Sequence, residues 1–265
     1  MTTGIVVAMT IGVLGTSTIH LSKGVMKHGL VRMQDPTSRT RSAARAIYAL
    51  GIAMNFTNPL WVIVANRFAP TVYYTSMYGL GLIALLLYAH WRLGERLFPR
   101  QIAGIGIIVL GTLVLGGMEL RGGAPSLYTA SRPRVLLVAG LWLAAAPLAG
   151  LAIRRAALLV RETIFGVAAG GLAALEAIVK GVSQAGEHAN TFLPQSPVNW
   201  VLFILSFAGA AGAFAMIQWS FLRSCRASIM GAIYTTTYVA LPLVVTPFVT
   251  TGETLSAGGL LGVSL

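Results

Sequence analysis

The chain is poor in charge, and poorest in acid. Only 10% of its 265 residues are charged, seven of them acidic, while 56% are hydrophobic. Soluble domains average about 25% charge, so this composition excludes an ordinary soluble protein. The single cysteine, Cys225, forms no internal disulfide and says nothing of redox compartment. No phosphate-cradling Gly-x-x-x-x-Gly-Lys loop is present, which removes ATP hydrolysis by this chain. No His or Cys cluster has metal-ligand spacing, and no paired carboxylates lie in the apolar runs. Gly104-Ile105-Gly106 follows no strand and is no nucleotide fingerprint. These absences predict no enzyme and no cofactor.

What is present is apolar sequence in helix-long pieces, with a mean hydropathy of +0.77. The stretch Arg92–Gly117 shows the pattern: a basic cluster of Arg92, Arg96 and Arg100 with Glu95, then an uncharged run from Gln101 to Met118. A bilayer accounts for so sharp a boundary. Pro99 suits a helix start, where its missing N–H has no intrahelical partner. Glycines 104, 106, 111, 116 and 117 predict a small-residue face for close helix approach. Apolar spans are expected near Gly4–Met26, Ala46–Ala65, Thr71–Trp91, Gln101–Met118, Val135–Ile153, Thr163–Ser183, Trp200–Trp219, Ser228–Thr250 and Ser256–Leu265. The first lacks a basic leader and reads as a span, not a signal peptide. The last stops short and reads as truncated. The expected fold is all-α and polytopic, a single transmembrane domain over 1–265 of about nine helices.

The net charge of +12 would suggest nucleic acid in a soluble protein. Here it is a matter of loops. With the N-terminus outside, inside loops hold thirteen Lys and Arg, from Lys27 to Arg226, and outside loops hold four, Arg67, Arg121, Arg132 and Arg134. The positive-inside rule favours that orientation. It predicts an integral protein of the cell (inner) membrane with cytoplasmic basic loops and no nucleic-acid partner. A homodimer or a larger membrane complex fits the same composition.

The chain also repeats itself. Lys23-Gly24-Val25 matches Lys180-Gly181-Val182, Phe56 and Trp61 match Phe214 and Trp219, Tyr74–Tyr78 matches Tyr234–Tyr238, and Gly94-Glu95 matches Gly252-Glu253. The spacing is about 158 residues throughout. The span count puts Glu95 inside and Glu253 outside, so the repeats 4–118 and 135–265 are expected to be inverted. Inverted repeats are the architecture of secondary transporters, with the substrate near the midplane.

Gly94-Glu95-Arg96-Leu97, a basic loop and a Gly-rich helix resemble the EamA-type signature of the drug/metabolite transporter superfamily. Lys23-Gly24 followed by Gly29-Leu30, then Asn55-Phe56, Phe68-Ala69-Pro70 and Val179-Lys180-Gly181 is an order most similar to the NIPA-like magnesium transporters. The resemblance implies alternating-access transport of a small polar solute or cation, with a Mg²⁺ permease as one alternative. An accessory subunit that keeps the fold without transporting is another. The chain departs from the NIPA-like pattern at Gly51-Ile52-Ala53-Met54, where no acid follows the glycine. Mg²⁺ wants several oxygens in octahedral geometry; the metal site is therefore unassigned.

Intramembrane ionisable groups are functional candidates. The expected spans contain four: His20, Lys23, Glu176 and Lys180. Glu176 and Lys180 stand one helical turn apart, so they form either a cation- or proton-handling site or a self-satisfied ion pair. Lys23 and Lys180 either snorkel from span ends or share a role in the two repeats. His20, on the face of Lys23, either carries a proton or bonds a neighbouring helix. Tyr74, Tyr78, Tyr234 and Tyr238 with their neighbouring hydroxyls either line a solute path, or Tyr73 and Tyr74 form an interfacial belt while the threonines bond neighbouring helices. The path is expected between Tyr78 and Tyr238, with Asn55, Asn58 and Gln218 as further polar groups. Pro59, Pro242 and Pro247 are expected to kink their helices.

Overall fold

The structure, a computed structural model, describes every residue except 1, 35–40, 67, 69–72, 75, 123–126, 154, 186–190, 192 and 251–265. Ala69, Pro70, Thr75, the Gly252-Glu253 match and the ninth expected span therefore lie outside the described residues. Those described form helices: α1 Thr2–Gln34, α2 Arg41–Phe56, α3 Asn58–Asn66, α4 Tyr78–Leu93, α5 Pro99–Gly122, α6 Arg132–Ala152, α7 Leu158–Gln184, α8 Pro197–Leu222 and α9 Ala227–Val249. A single 3₁₀ turn, Leu127–Thr129, and an isolated bridge from Ala130 to Thr250 complete them. In a bilayer only intrahelical bonding satisfies each backbone group within its own segment. Five helices, α1, α6, α7, α8 and α9, are long and apolar enough to cross a membrane. The protein is an all-helical membrane protein.

Four expected boundaries are corrected. The first span ends eight residues beyond Met26, because α1 continues through a polar stretch to Gln34. The second is interrupted at Thr57, two residues before Pro59. Pro59 has no N–H to offer the carbonyl of Asn55 and its ring crowds that carbonyl, which favours a break there. Thr57 covers the gap by donating Oγ1–H to the Met54 carbonyl at 2.6 Å. In the third, continuous helix begins only at Tyr78, after a turn at Ser76-Met77. The sixth starts at Leu158, so Glu162 is inside a membrane helix and fully buried. Glu176 is therefore not the only carboxylate in a span. The helix α9 runs without interruption through Pro242 and Pro247.

Two compact units are present, residues 1–124 with 221–235, and residues 125–220 with 236–264. The first nine residues of α9 thus pack with the first unit. At its centre is α1, which touches α2, α3 and α4. The approach is closest at glycines: a Cβ on Gly81 of α4 would lie 2.6 Å from the Thr16 carbonyl oxygen, and one on Gly51 of α2 would lie 2.7 Å from the Met26 nitrogen. On α5 the expected close approach is absent at Gly104, Gly106 and Gly117, where nothing stands within 4 Å of an added Cβ. The contact with α4 is instead made by Gly79 of α4 against Val109 and Thr112.

In the second unit, a core of Val135, Ala139, Leu175, Ile178, Val179, Val182, Leu202 and Val245 joins α6, α7, α8 and the later part of α9. Trp142 of α6 lies over Gly171 of α7 and donates its indole N–H to the Ala168 carbonyl at 3.3 Å.

Candidate functional site

The helix α1 carries a buried polar line. Thr16, His20, Lys23 and Lys27 recur at helical spacing, so they share one face, and all four are buried. Three find acceptors or partners in the first unit. Thr16 donates Oγ1–H to the Met77 carbonyl at 3.2 Å. His20 Nε2 lies 3.5 Å from the Thr235 hydroxyl, and the ring stands edge-on to Tyr78 at 5.0 Å. Lys27 Nζ is 2.6 Å from Glu95 Oε1.

Lys23 is the exception. It is 1% exposed, and its Nζ has no hydrogen-bond partner among the described residues. The ammonium sits 3.6 Å over the Tyr234 ring and 6.0 Å from the Tyr78 ring. The facing π-clouds stabilise it by cation–π attraction. They supply no counter-charge. Lys23 lies within α1, eleven residues before its end, and is buried by the neighbouring helices. His20 Nδ1, one turn away, also lacks a partner among the described residues.

One turn further along α1 is an arrangement that the sequence reading did not anticipate. Gly94 ends α4 at φ 64°, a left-handed conformation, and the Glu95 N–H closes back on the Ala89 carbonyl at 3.0 Å. That glycine cap turns the chain so that Glu95 points inward. Its carboxylate accepts the first N–H groups of α9, from Ala227 at 2.8 Å and Ser228 at 3.0 Å, and also the Ser228 hydroxyl. Free N–H groups and the positive helix end make this a natural anion position. Burial raises the Glu95 pKa, but the Lys27 charge and the bonds from Lys27 and Ser228 outweigh it, holding the carboxyl below its usual value. The signal was present in the sequence: a Gly-Glu pair closing an apolar helix, and a lysine at the i+4 position after Lys23. The pair marked a loop motif; its partner, a helix 132 residues away, was not legible.

The remaining candidates fall as follows. Asn55 of α2 is half-buried, with Oδ1 3.5 Å from the Ser22 hydroxyl beside Lys23. Tyr74 is buried, and its OH donates to Asn58 Oδ1 at 3.3 Å, which corrects its reading as an interfacial belt residue. Tyr234 belongs to the Lys23 cluster; Tyr238, one turn on, belongs to the second unit and is half-buried. Also in the second unit, Glu176 and Lys180 form the expected ion pair along α7. The Lys180 ammonium also lies 5.1 Å from the Phe207 ring. Glu176 borders a cavity of about 10 Å³ with Leu172, Ser206 and Gly209. That is room for about one water.

No protein-family profile, curated protein or solved structure matches the chain.

Proposed function

We propose that this protein is a secondary transporter of the drug/metabolite transporter type, moving a small solute by alternating access through two inverted repeats. The observation that carries this reading is Lys23: a lysine within a membrane-length helix with no anionic partner among the described residues, set among His20, Tyr78, Tyr234 and Thr235. Ionisable groups in spans mark solute and ion pathways. A subunit that only packed into a complex would gain nothing from such a charge, and its burial is costly. The repeated Lys-Gly-Val, Tyr and Gly-Glu motifs support the inverted architecture. A Mg²⁺ permease is the less supported alternative, because the cation would meet the Lys23 charge, and no three His, Cys, Asp or Glu side chains gather among the described residues.

Two-sided thiol labelling tests the reading. Cys225, the only native cysteine, is replaced (Cys225→Ser), and Tyr78→Cys is reacted in sealed vesicles with a membrane-impermeant reagent from each face in turn. Alternating access predicts labelling from both faces. No labelling from either face, in a protein that folds and inserts, would favour the accessory-subunit reading.

A further inference from the structure

We infer that the solute is a small anion, and that its carboxylate or phosphate oxygens are taken by the Lys23 ammonium. The inference deepens the transporter reading and rests on it for the word solute.

The polar line of α1 makes the case by comparison within one helix. Thr16 and Lys27 each reach an oxygen, and His20 makes a long contact to one. Lys23 alone reaches none among the described residues, although its ammonium offers three donors. The Tyr234 face at 3.6 Å favours the charged form, yet a ring brings no acceptor atom and no negative charge. The nearby acid, Glu95, already serves Lys27 and the start of α9. Among the described residues, Lys23 is thus a buried amine with no acceptor.

The second repeat shows what is missing. Lys180 occupies the same place in Lys-Gly-Val, and Glu176, one turn earlier on α7, is its carboxylate. At the repeat spacing of 157 the counterpart of Glu176 is Ile19, which is apolar. The same motif is therefore neutralised from within the chain at Lys180 and left open at Lys23. A ligand carboxylate or phosphate fills that place in charge and in chemistry. The three donors of the Lys23 ammonium suit an anion with at least two oxygens. The packing closes over Lys23, so entry requires that packing to open, which is what alternating access provides. Because Lys23 is 1% exposed, a lipid headgroup does not reach it in this arrangement.

The full chain is reconstituted into phosphatidylcholine vesicles, with a parallel set containing phosphatidylglycerol. Labelled succinate and inorganic phosphate are the anionic probes, Mg²⁺ the cationic probe and glucose the neutral one. Uptake of succinate or phosphate in both lipids is expected, falling at least about tenfold in Lys23→Met, as loss of a hydrogen bond to a charged group predicts. Lys23→Arg should recover part of it. Should Lys23→Met fail to insert, stabilisation of the wild type by succinate or phosphate, read as a melting shift that Lys23→Arg retains in part, carries the same test. Uptake of Mg²⁺ or glucose without either anion would overturn the anion class and leave the transporter reading standing. Anion uptake unchanged in a folded Lys23→Met would overturn the assignment of Lys23. A Lys23-dependent melting shift with no uptake of any probe would uphold the anion site and overturn the transporter reading. Neither shift nor uptake would overturn both. Stabilisation by phosphatidylglycerol alone would make the anion a lipid headgroup and overturn the solute.

Discussion

Lys23 and Lys27 stand one turn apart on α1, both buried, and their substitutions should behave oppositely. Lys27→Met strips the counter-ion from a buried carboxylate, which costs about 3 kcal/mol and lowers the melting temperature by roughly 6–12 °C for a chain of this size. Lys23→Met removes a buried ammonium that has no hydrogen-bond partner among the described residues and keeps the apolar contact with Tyr234, so it should melt no lower than the wild type. Thermal unfolding of the two variants in one detergent checks the contrast. Glu95 adds a pH dependence. Its folded pKa lies below the usual 4.5, so its contribution is complete above that value. The contribution is lost as pH falls through the depressed folded value. Melting against pH should show this acid limb in the wild type and lack it in Glu95→Gln. At this scale the sequence made the residues visible and hid their partners. His20, Lys23 and the Glu176–Lys180 pair are identifiable from helical spacing, because spacing is local. That Glu95 meets Lys27 and the start of α9 depends on tertiary placement, which no local pattern encodes.

The helices depend on how they end. Gly94 adopts φ 64°, and an added Cβ would touch nothing within 4 Å, so Gly94→Ala isolates the conformational cost. That cost is about 1 kcal/mol, with Gly94→Asn milder because asparagine tolerates the left-handed region. The same change should loosen Glu95 from α9, raising hydrogen exchange at Ala227 and Ser228 more than at Trp142. Equal exchange at all three would mean that the cap does not aim Glu95. Most of the helices were legible, since an apolar run of span length has few other fates in lipid. Their edges were less so. Hydropathy alone ended α1 at Met26, although Lys27 and His28 continue the helix by pairing with Glu95 and Tyr88. It began α7 after Glu162, although that acid is buried within the helix.

For the whole molecule, the account joins an all-helical membrane fold to a path that accepts negative charge. The proposed inverted repeat predicts opposite faces for the two Gly-Glu motifs. Cysteines placed at Arg96 and Thr254 in the Cys225→Ser background should therefore label from opposite sides of a sealed vesicle; labelling from the same side would end the inverted arrangement. The proposed repeat rests on sequence matches that recur in order at nearly constant spacing. Which residues form each compact unit was not legible, since residues 221–235 pack with the first unit although they lie in the second half of the sequence. The claim at the centre is the sign of the site around Lys23, and one rate comparison reads it most directly. In Tyr78→Cys with Cys225→Ser, the residue 6.0 Å from the Lys23 ammonium is reacted with a sulfonate-bearing and with a trimethylammonium-bearing methanethiosulfonate. The account predicts that the anionic reagent reacts faster than the cationic one by about tenfold, a preference that disappears when Lys23→Met is added. A faster cationic reagent, or a preference that survives the loss of Lys23, would contradict it.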